Sequence, residues 1–230
     1  MTISTHPTQL QFDAMLFDSA NRAKASLPAA NGSRIPERPN PLSLSKWYKD
    51  ELTWTTGQID AVEASHGLTH SCRKGCHACC YQPIMVSWND MRAMIPAIKS
   101  MSKEERDVLQ GKLKNVLADL QARGMSQFNG DTPVEFREQY FEARIPCPLL
   151  DDNGSCSMYE VRPTTCAVYR YYGDPQDCHS MATPPWSVQF EDWERVAFTR
   201  LLQATTTKRA QDGLRLLPVR LKELFDELHY

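Results

Sequence analysis

Three observations predict a mainly α fold, a helical domain whose two cysteine-rich loops converge on a metal centre. Apolar residues recur at helical spacing in several segments flanked by capping signals. Strand-like alternation never runs beyond a few residues, and neither internal repeats nor low-complexity tracts interrupt the chain. All eight cysteines fall in two Gly/Pro-punctuated windows, residues 72–80 and 147–178. The 230 residues, 41% hydrophobic and 23% charged, have ordinary globular composition and suffice to bury a core without crosslinks.

The elements follow in order. Leu10, Ala14, Phe17 and Ala20 predict a first helix over residues 8–27, and Pro28, Pro36, Pro39 and Pro41, with Asn31-Gly32-Ser33 among them, mark a linker. A second helix is predicted from Ser43 to Ser65, with Leu44, Trp47, Tyr48, Leu52, Ile59 and Val62 facing the core and Gly67 as its stop. Ser87-Trp88-Asn89-Asp90 reads as an N-cap opening a short helix that Pro96 kinks or ends. Ser102 and Glu105 form a capping box for a helix with Val108, Leu109, Leu113, Val116, Leu117 and Leu120 on one stripe, ending at Gly124. Another short helix is expected over 133–143. Two amphipathic helices follow near 187–204 (Phe190, Trp193, Val196, Ala197, Leu201) and 218–228 (Val219, Leu221, Leu224, Leu228), with Pro218 suited to a first turn. The expected organisation is an N-terminal helix and Pro-rich linker over 1–42, a cysteine-cluster domain over 43–182, and a C-terminal helical extension over 183–230 packed on it.

The formal net charge of -2 offers no electrostatic case for nucleic acid. No segment approaches the roughly 18–20 apolar residues of a membrane span, and Met1 to Leu27 lacks the features of a secretory signal. A cytoplasmic location is therefore expected, and with it free thiols rather than disulfides. The chain carries no G-x-S-x-G, Walker, dinucleotide or H-E-x-x-H motif. Asp151-Asp152, before Asn153-Gly154, reads as a turn, and Met85, Met91 and Met94 read as core.

The chemistry lies in the cysteines. Cys72, Cys76, Cys79, Cys80, Cys147, Cys156, Cys166 and Cys178 are the candidate metal ligands, because inert core cysteines would scatter along helix stripes instead of gathering in loops. A C-x₂-C turn such as Cys76–Cys79 aims two sulfurs at one site, and sulfur-only ligation suits Zn²⁺ or an iron–sulfur cluster, a [4Fe–4S] cluster among the options. Eight thiolates can fill two four-sulfur sites, or one cluster with a remainder. Arg73, Lys74 and His77 are expected to lower the pKa of nearby thiols. Adjacent Cys79 and Cys80 are expected to point apart. His70, His77 and His179 are read as loop histidines before ligands. Tyr159, Arg162, Tyr169, Tyr171 and Tyr172 are expected to pack and hydrogen-bond the second window, with a substrate-facing role for Arg162 or Tyr169 as the alternative. The Cys72-x₃-Cys76-x₂-Cys79 spacing equals the cluster triplet of radical enzymes that cleave S-adenosylmethionine. Ala78 replaces their usual aromatic, however, and the strands of their barrel are missing.

The ordered run Cys72-x₃-Cys76-x₂-Cys79-Cys80, then Cys147-Pro148, Gly154-Ser155-Cys156, Tyr159, Arg162-Pro163, Cys166 and Tyr169, resembles the CxxCxxCC (YkgJ-type) cysteine-cluster family, described as a zinc- or iron-chelating domain. The resemblance covers roughly residues 70–180. It implies metal chelation more firmly than any reaction, and one joint unit built from both windows. Ala167 departs from the family pattern, where an Arg commonly follows the cysteine, so no contact from that side chain is expected. Two classes of function remain: a binding or assembly module, or an iron–sulfur-dependent enzyme, such as a methyltransferase or oxidoreductase, modifying a protein or small-molecule partner.

Overall fold

The computed structural model describes residues 40–65, 67–126, 133–172, 176, 178, 187–189 and 213–230. The helix expected over 8–27, the linker up to Pro39, the 190–204 stretch, His179 and the Val62 side chain lie outside the described residues. Helix accounts for 63% of the described residues and strand for 6%, so the fold is mainly α.

Helix α1 (Pro41–Ser65) begins two residues before the expected Ser43, for a local reason. Asn40 caps it, its side-chain oxygen accepting the Ser43 N–H at 2.9 Å and its carbonyl accepting the Leu44 N–H at 2.9 Å. Pro41, grouped by sequence with the linker prolines, occupies the first turn, where its missing N–H costs nothing. Gly67 ends the helix at φ 65°, with Gly67 N–H bonded to the Ala64 carbonyl and Leu68 N–H to that of Glu63. Leu44, Trp47, Tyr48, Leu52 and Ile59 are buried as expected, and the same face also buries Glu51, Thr55 and Glu63.

Helix α2 (Trp88–Ser100) opens on a reciprocal capping box between Ser87 and Asp90. Pro96 sits inside it and does not end it. The lost bond is outweighed because Ile95 and Ile98, on either side of the proline, are anchored in the core. Helix α3 (Lys103–Ala122) has the expected Ser102–Glu105 box and stops at Gly124, φ 68°. Its buried stripe is narrower than expected: Leu109, Leu113, Val116 and Leu120 are buried, whereas Val108 is 58% exposed. Helices α4 (Val134–Glu142), α5 (Thr164–Val168) and α6 (Leu217–Leu228) follow, α6 with Pro218 in its first turn.

Short antiparallel strand pairs staple distant segments. Strand β1 (Met85–Val86), just after the first cysteine window, pairs with β4 (Arg215–Leu216), just before α6. Strand β2 (Tyr169–Tyr171) pairs with β3 (Ser187–Gln189). The expected 187–204 helix is thereby corrected at its start: Ser187–Gln189 is extended because its backbone completes a ladder with β2.

One core joins α1, α2, α3 and α6, and Leu149, Met158, Val161 and Ala167 of the second cysteine window enter it. Cys147 and Cys156 pack against that core, half-buried. A second cluster gathers Val116 and Leu120 with Phe136, Tyr140, Ile145 and Leu216. No described helix is long and apolar enough to cross a membrane.

Candidate metal centre

The first cysteine window leaves α1 pinned to β2, the Ser71 N–H donating to the Tyr171 carbonyl at 2.6 Å. Gly75, at φ 91°, supports the turn in which Cys76 N–H reaches the Arg73 carbonyl at 2.9 Å. A single 3-10 turn, Ala78–Tyr81, follows, with Cys80 N–H bonded to the His77 carbonyl at 2.9 Å. The turn carries Cys79 and Cys80 side by side, and their thiols are linked electrostatically, Cys79 held down and Cys80 raised.

The second window is stitched directly to the first, since Cys147 N–H donates to the Cys80 carbonyl at 2.7 Å. Leu150 and Cys156 then form an antiparallel bridge, closed by Ser157 N–H on the Leu149 carbonyl at 2.8 Å. Asp151 makes the turn between them, its Oδ1 accepting the N–H groups of Asn153 at 2.9 Å and Ser155 at 2.7 Å. Asp152 bonds Lys112 of α3 at 2.7 Å. Gly154 cannot be another residue without strain: its φ is +75°, and a Cβ there would stand 2.9 Å from His77 Nδ1. The tip of the second loop therefore rests on the histidine of the first.

Cys166 is aimed by α1 and α2 acting together. Tyr48 of α1 donates to Asp90 of α2 at 2.6 Å, and its hydroxyl lies 3.2 Å from that of Thr164, the first residue of α5. Asp90 also accepts the Thr164 N–H at 3.4 Å. Burial, then the Asp90 charge, holds the Tyr48 hydroxyl well above the usual tyrosine range, so it remains a donor.

All eight cysteines are free of disulfides and half-buried. Cys79, Cys147, Cys156 and Cys166 form a complete set: negative charge on any one opposes ionisation of each of the other three. Charge on Cys147 or Cys166 opposes ionisation of Cys80 as well, and charge on Cys79 or Cys76 that of Cys72. The sequences flanking Cys178 lie outside the described residues. Among the described residues, no three cysteine sulfurs lie within 4.8 Å of one another.

Burial pushes Cys72 up to about 11 and Cys147 up to about 12, and raises Cys156 and Cys166 as well. Cys79 alone is lowered, to about 7, first by the Cys80 hydrogen bond and further by Arg162. Cys80 rises because its proton serves that bond. Arg73 and Lys74 are exposed, where solvent screens their charge, and the cations that favour ionisation are Arg162 for Cys79, Cys156 and Cys166 and Arg170 for Cys72. Buried thiols that resist ionisation are poor nucleophiles but suit a cation, whose charge makes the thiolate the favoured form.

The histidines have other partners. His70 Nδ1 is 2.8 Å from Glu63 of α1, and His77 stacks edge-on with Tyr81. Asp60, Glu63 and His70 bring ligand atoms within 4.8 Å of one another, but Arg170 already reaches Asp60 at 3.2 Å and Glu63 at 3.4 Å. Tyr172 donates to Glu63 at 2.8 Å. This buried network was missed in the sequence because Glu63 lies on the apolar face of α1, and its only signal was a carboxylate on that face.

Tyr159 and Arg162 do pack together, the guanidinium carbon 3.9 Å above the ring. On the outer side of Cys147 opens a cavity of about 370 Å³, lined among others by Lys112, Asn115, Asp119, Ile145 and Asp152.

A helical protein whose two cysteine loops close over a set of half-buried thiols is the class that this geometry defines. Residues 71–194, more than half the chain, match the family CxxCxxCC, described as a putative zinc- or iron-chelating domain, and the chain belongs to that family. No curated protein and no solved structure matches the chain.

Proposed function

We propose that the protein holds an iron–sulfur cluster, with Cys79, Cys147, Cys156 and Cys166 as its thiolate ligands. The observation that carries the reading is the set of four thiols that oppose one another's ionisation and of which no three sulfurs lie within 4.8 Å of one another. Four thiolates on one tetrahedral zinc, with bonds of about 2.3 Å, would stand about 3.8 Å apart. An iron–sulfide core holds its thiolates further apart, because several atoms stand between them. The family's description as a metal-chelating domain supports the donor chemistry without choosing the metal. Once bound, such a cluster supplies one-electron chemistry. The chain's part is to hold four thiolates, exclude water with the Leu149, Met158 and Ala167 packing, and present Cys72, Cys76 and Cys80 at the rim.

Anaerobic purification from metal-replete cells, with iron, zinc and acid-labile sulfide measured beside an absorption spectrum, tests this. Iron and sulfide in about equal amounts with a broad visible band are expected. Stoichiometric zinc in colourless protein would replace the cluster with zinc, and neither metal would end the reading.

A second reading, an iron–sulfur enzyme acting on a protein or small molecule, is favoured by the cavity beside Cys147. Cyanide added to reduced protein should change the paramagnetic resonance spectrum, and Asn115→Trp, which narrows the cavity, should weaken the change. An unchanged wild-type spectrum counts against an accessible reactive iron.

A further inference from the structure

The geometry points to Tyr48 as the latch on the Cys166 arm, a positioning residue whose hydroxyl holds Cys166 among the proposed ligands. Cys166 is then the ligand that gives way first when metal leaves. The inference rests on the metal-binding reading, whichever metal is held.

The arms of the centre are tied in different ways. Cys147 is joined to Cys80 by its backbone, N–H to carbonyl at 2.7 Å, and Cys156 sits in a backbone bridge with Leu150. Cys80 N–H is held in turn by the His77 carbonyl at 2.9 Å, within the turn that carries Cys79. Cys166 has no such tie. Among the described residues, no backbone-to-backbone hydrogen bond joins Thr164–Val168 to residues 72–80 or 147–157. At five residues α5 has little helical stability of its own, so its position follows the groups that hold it.

Side chains hold its start. The Tyr48 hydroxyl donates to Asp90 at 2.6 Å, and it lies 3.1 Å from the Arg162 carbonyl oxygen and 3.2 Å from the Thr164 hydroxyl, so it brackets Pro163. Asp90 adds the Thr164 N–H at 3.4 Å. The two capping boxes show that this arrangement is more than a helix cap. In α3, Ser102 N–H donates to Glu105 at 2.7 Å on an exposed surface, and that box serves only its own helix. In α2 the box is buried: one Asp90 oxygen accepts the Ser87 N–H at 2.8 Å, and the other is turned to α1 and α5. A cap alone does not require a buried carboxylate, whose loss of water is costly unless its oxygens are bonded. Tyr48, Asp90 and Thr164 are all buried, so water does not replace the bond that Tyr48→Phe removes.

Site-resolved alkylation of the full-length protein by iodoacetamide tests this, first with the metal removed, then during metal transfer from the purified protein to a chelator. In metal-free protein Tyr48→Phe should raise the alkylation rate of Cys166 about tenfold, the scale of one hydrogen bond to a charged group, and leave Cys147 and Cys156 unchanged. During transfer from wild-type protein, Cys166 should be labelled before Cys79, Cys147 and Cys156, each corrected for its rate in metal-free protein. Transfer from Tyr48→Phe should be about tenfold faster. Thr164→Val should act as Tyr48→Phe does, and Thr164→Ser should restore wild-type rates. The double variant Tyr48→Phe/Thr164→Val should do no more than either change alone. Ser102→Ala, which removes the exposed cap of α3, should lower stability and change none of these rates.

A wild-type Cys166 rate in Tyr48→Phe overturns the proposal. So does equal acceleration at Cys147, Cys156 and Cys166, which would mean that Tyr48 only stabilises the fold, and so does earlier labelling of another ligand during transfer. Should Tyr48→Phe fail to fold, Thr164→Val decides: Cys166 alkylated no faster than in Thr164→Ser overturns the proposal. Wild-type protein that binds no metal removes the metal-binding reading and the inference with it. Metal-binding protein whose Cys166 does not respond to Tyr48 removes the inference alone.

Discussion

Two arginines lie on either side of α5, and their surroundings differ in charge balance. Arg170 is closed into a buried network: it pairs with Asp60 and Glu63, donates to the Ala167 carbonyl at 2.8 Å, and Glu63 is further bonded by His70 and Tyr172. Arg162 has an aromatic ring beneath it, and its charge favours ionisation of Cys79, Cys156 and Cys166. In the first network the guanidinium is already ion-paired, so its service is to clamp α1 to β2 and the start of the first cysteine loop. In the second the half-buried thiols ionise when a cation joins them. Ligand-type residues thus occur in both places, but the ion pairing is finished in one and unfinished in the other.

The largest expected effect lies on the unfinished side. Cys147→Ser or Cys166→Ser should abolish metal retention, measured by metal content and the visible spectrum, whereas Glu63→Gln should leave the remaining folded protein loaded. Hydrogen exchange on chelated protein should show lost protection at 70–82 and 147–172 and residual protection across Leu109–Leu120, whose stripe packs without the centre. Loss along the whole chain would mean that the centre nucleates the fold, and the division between the two regions would go.

The finished network should answer to stability. Glu63, with 5% of its side chain exposed, faces Arg170 with 6%, so Arg170→Leu should cost about 3–5 kcal/mol in denaturant unfolding by taking the guanidinium from a buried carboxylate. A cost within error would mean that the pair is solvated and clamps nothing.

Chelated protein should also weaken at alkaline pH. Unfolded thiols ionise near 9, while Cys72 and Cys147 keep their protons to about 11 and about 12. Above pH 9 the unfolded state therefore binds fewer protons, and stability falls as pH rises. The loss should be about 3 kcal/mol by pH 10, and the Cys147 share, about half of it, should vanish with metal bound, because a ligating thiolate holds no proton to lose. Equal alkaline slopes for loaded and chelated protein would break the assignment of Cys147 as a ligand.

The smallest effect concerns the contact between the loops. Gly154→Ala forces a side chain into a left-handed conformation against His77 and should cost about 1–2 kcal/mol in thermal unfolding. Unchanged stability would mean that the Gly154 tip is not seated on the first window.

Much was legible because much is local. Both capping boxes join residues three apart, and the Gly67 and Gly124 stops follow from one positive φ each, so sequence placed the end of α1, the start of α2 and both ends of α3. The start of α1 was missed by two residues because Pro41 stood among linker prolines, and the same residue serves a linker or a first helical turn. The gathering of cysteines into two windows needed no structure at all.

The chain alone determined a helical body and thiol chemistry confined to two loops, since helix periodicity, caps and ligand type are written within a few residues of one another. The tertiary structure decided which thiols face each other, which arginine is spent on carboxylates, and that 187–189 extends as a strand. Each of those outcomes depends on groups far apart in the chain. Tyr48 on Asp90 and Asp90 on Thr164 fix where Cys166 stands, and Cys147 on Cys80 joins the windows. A local pattern carries no record of such partners, because the energy that selects them arises only when the helices pack.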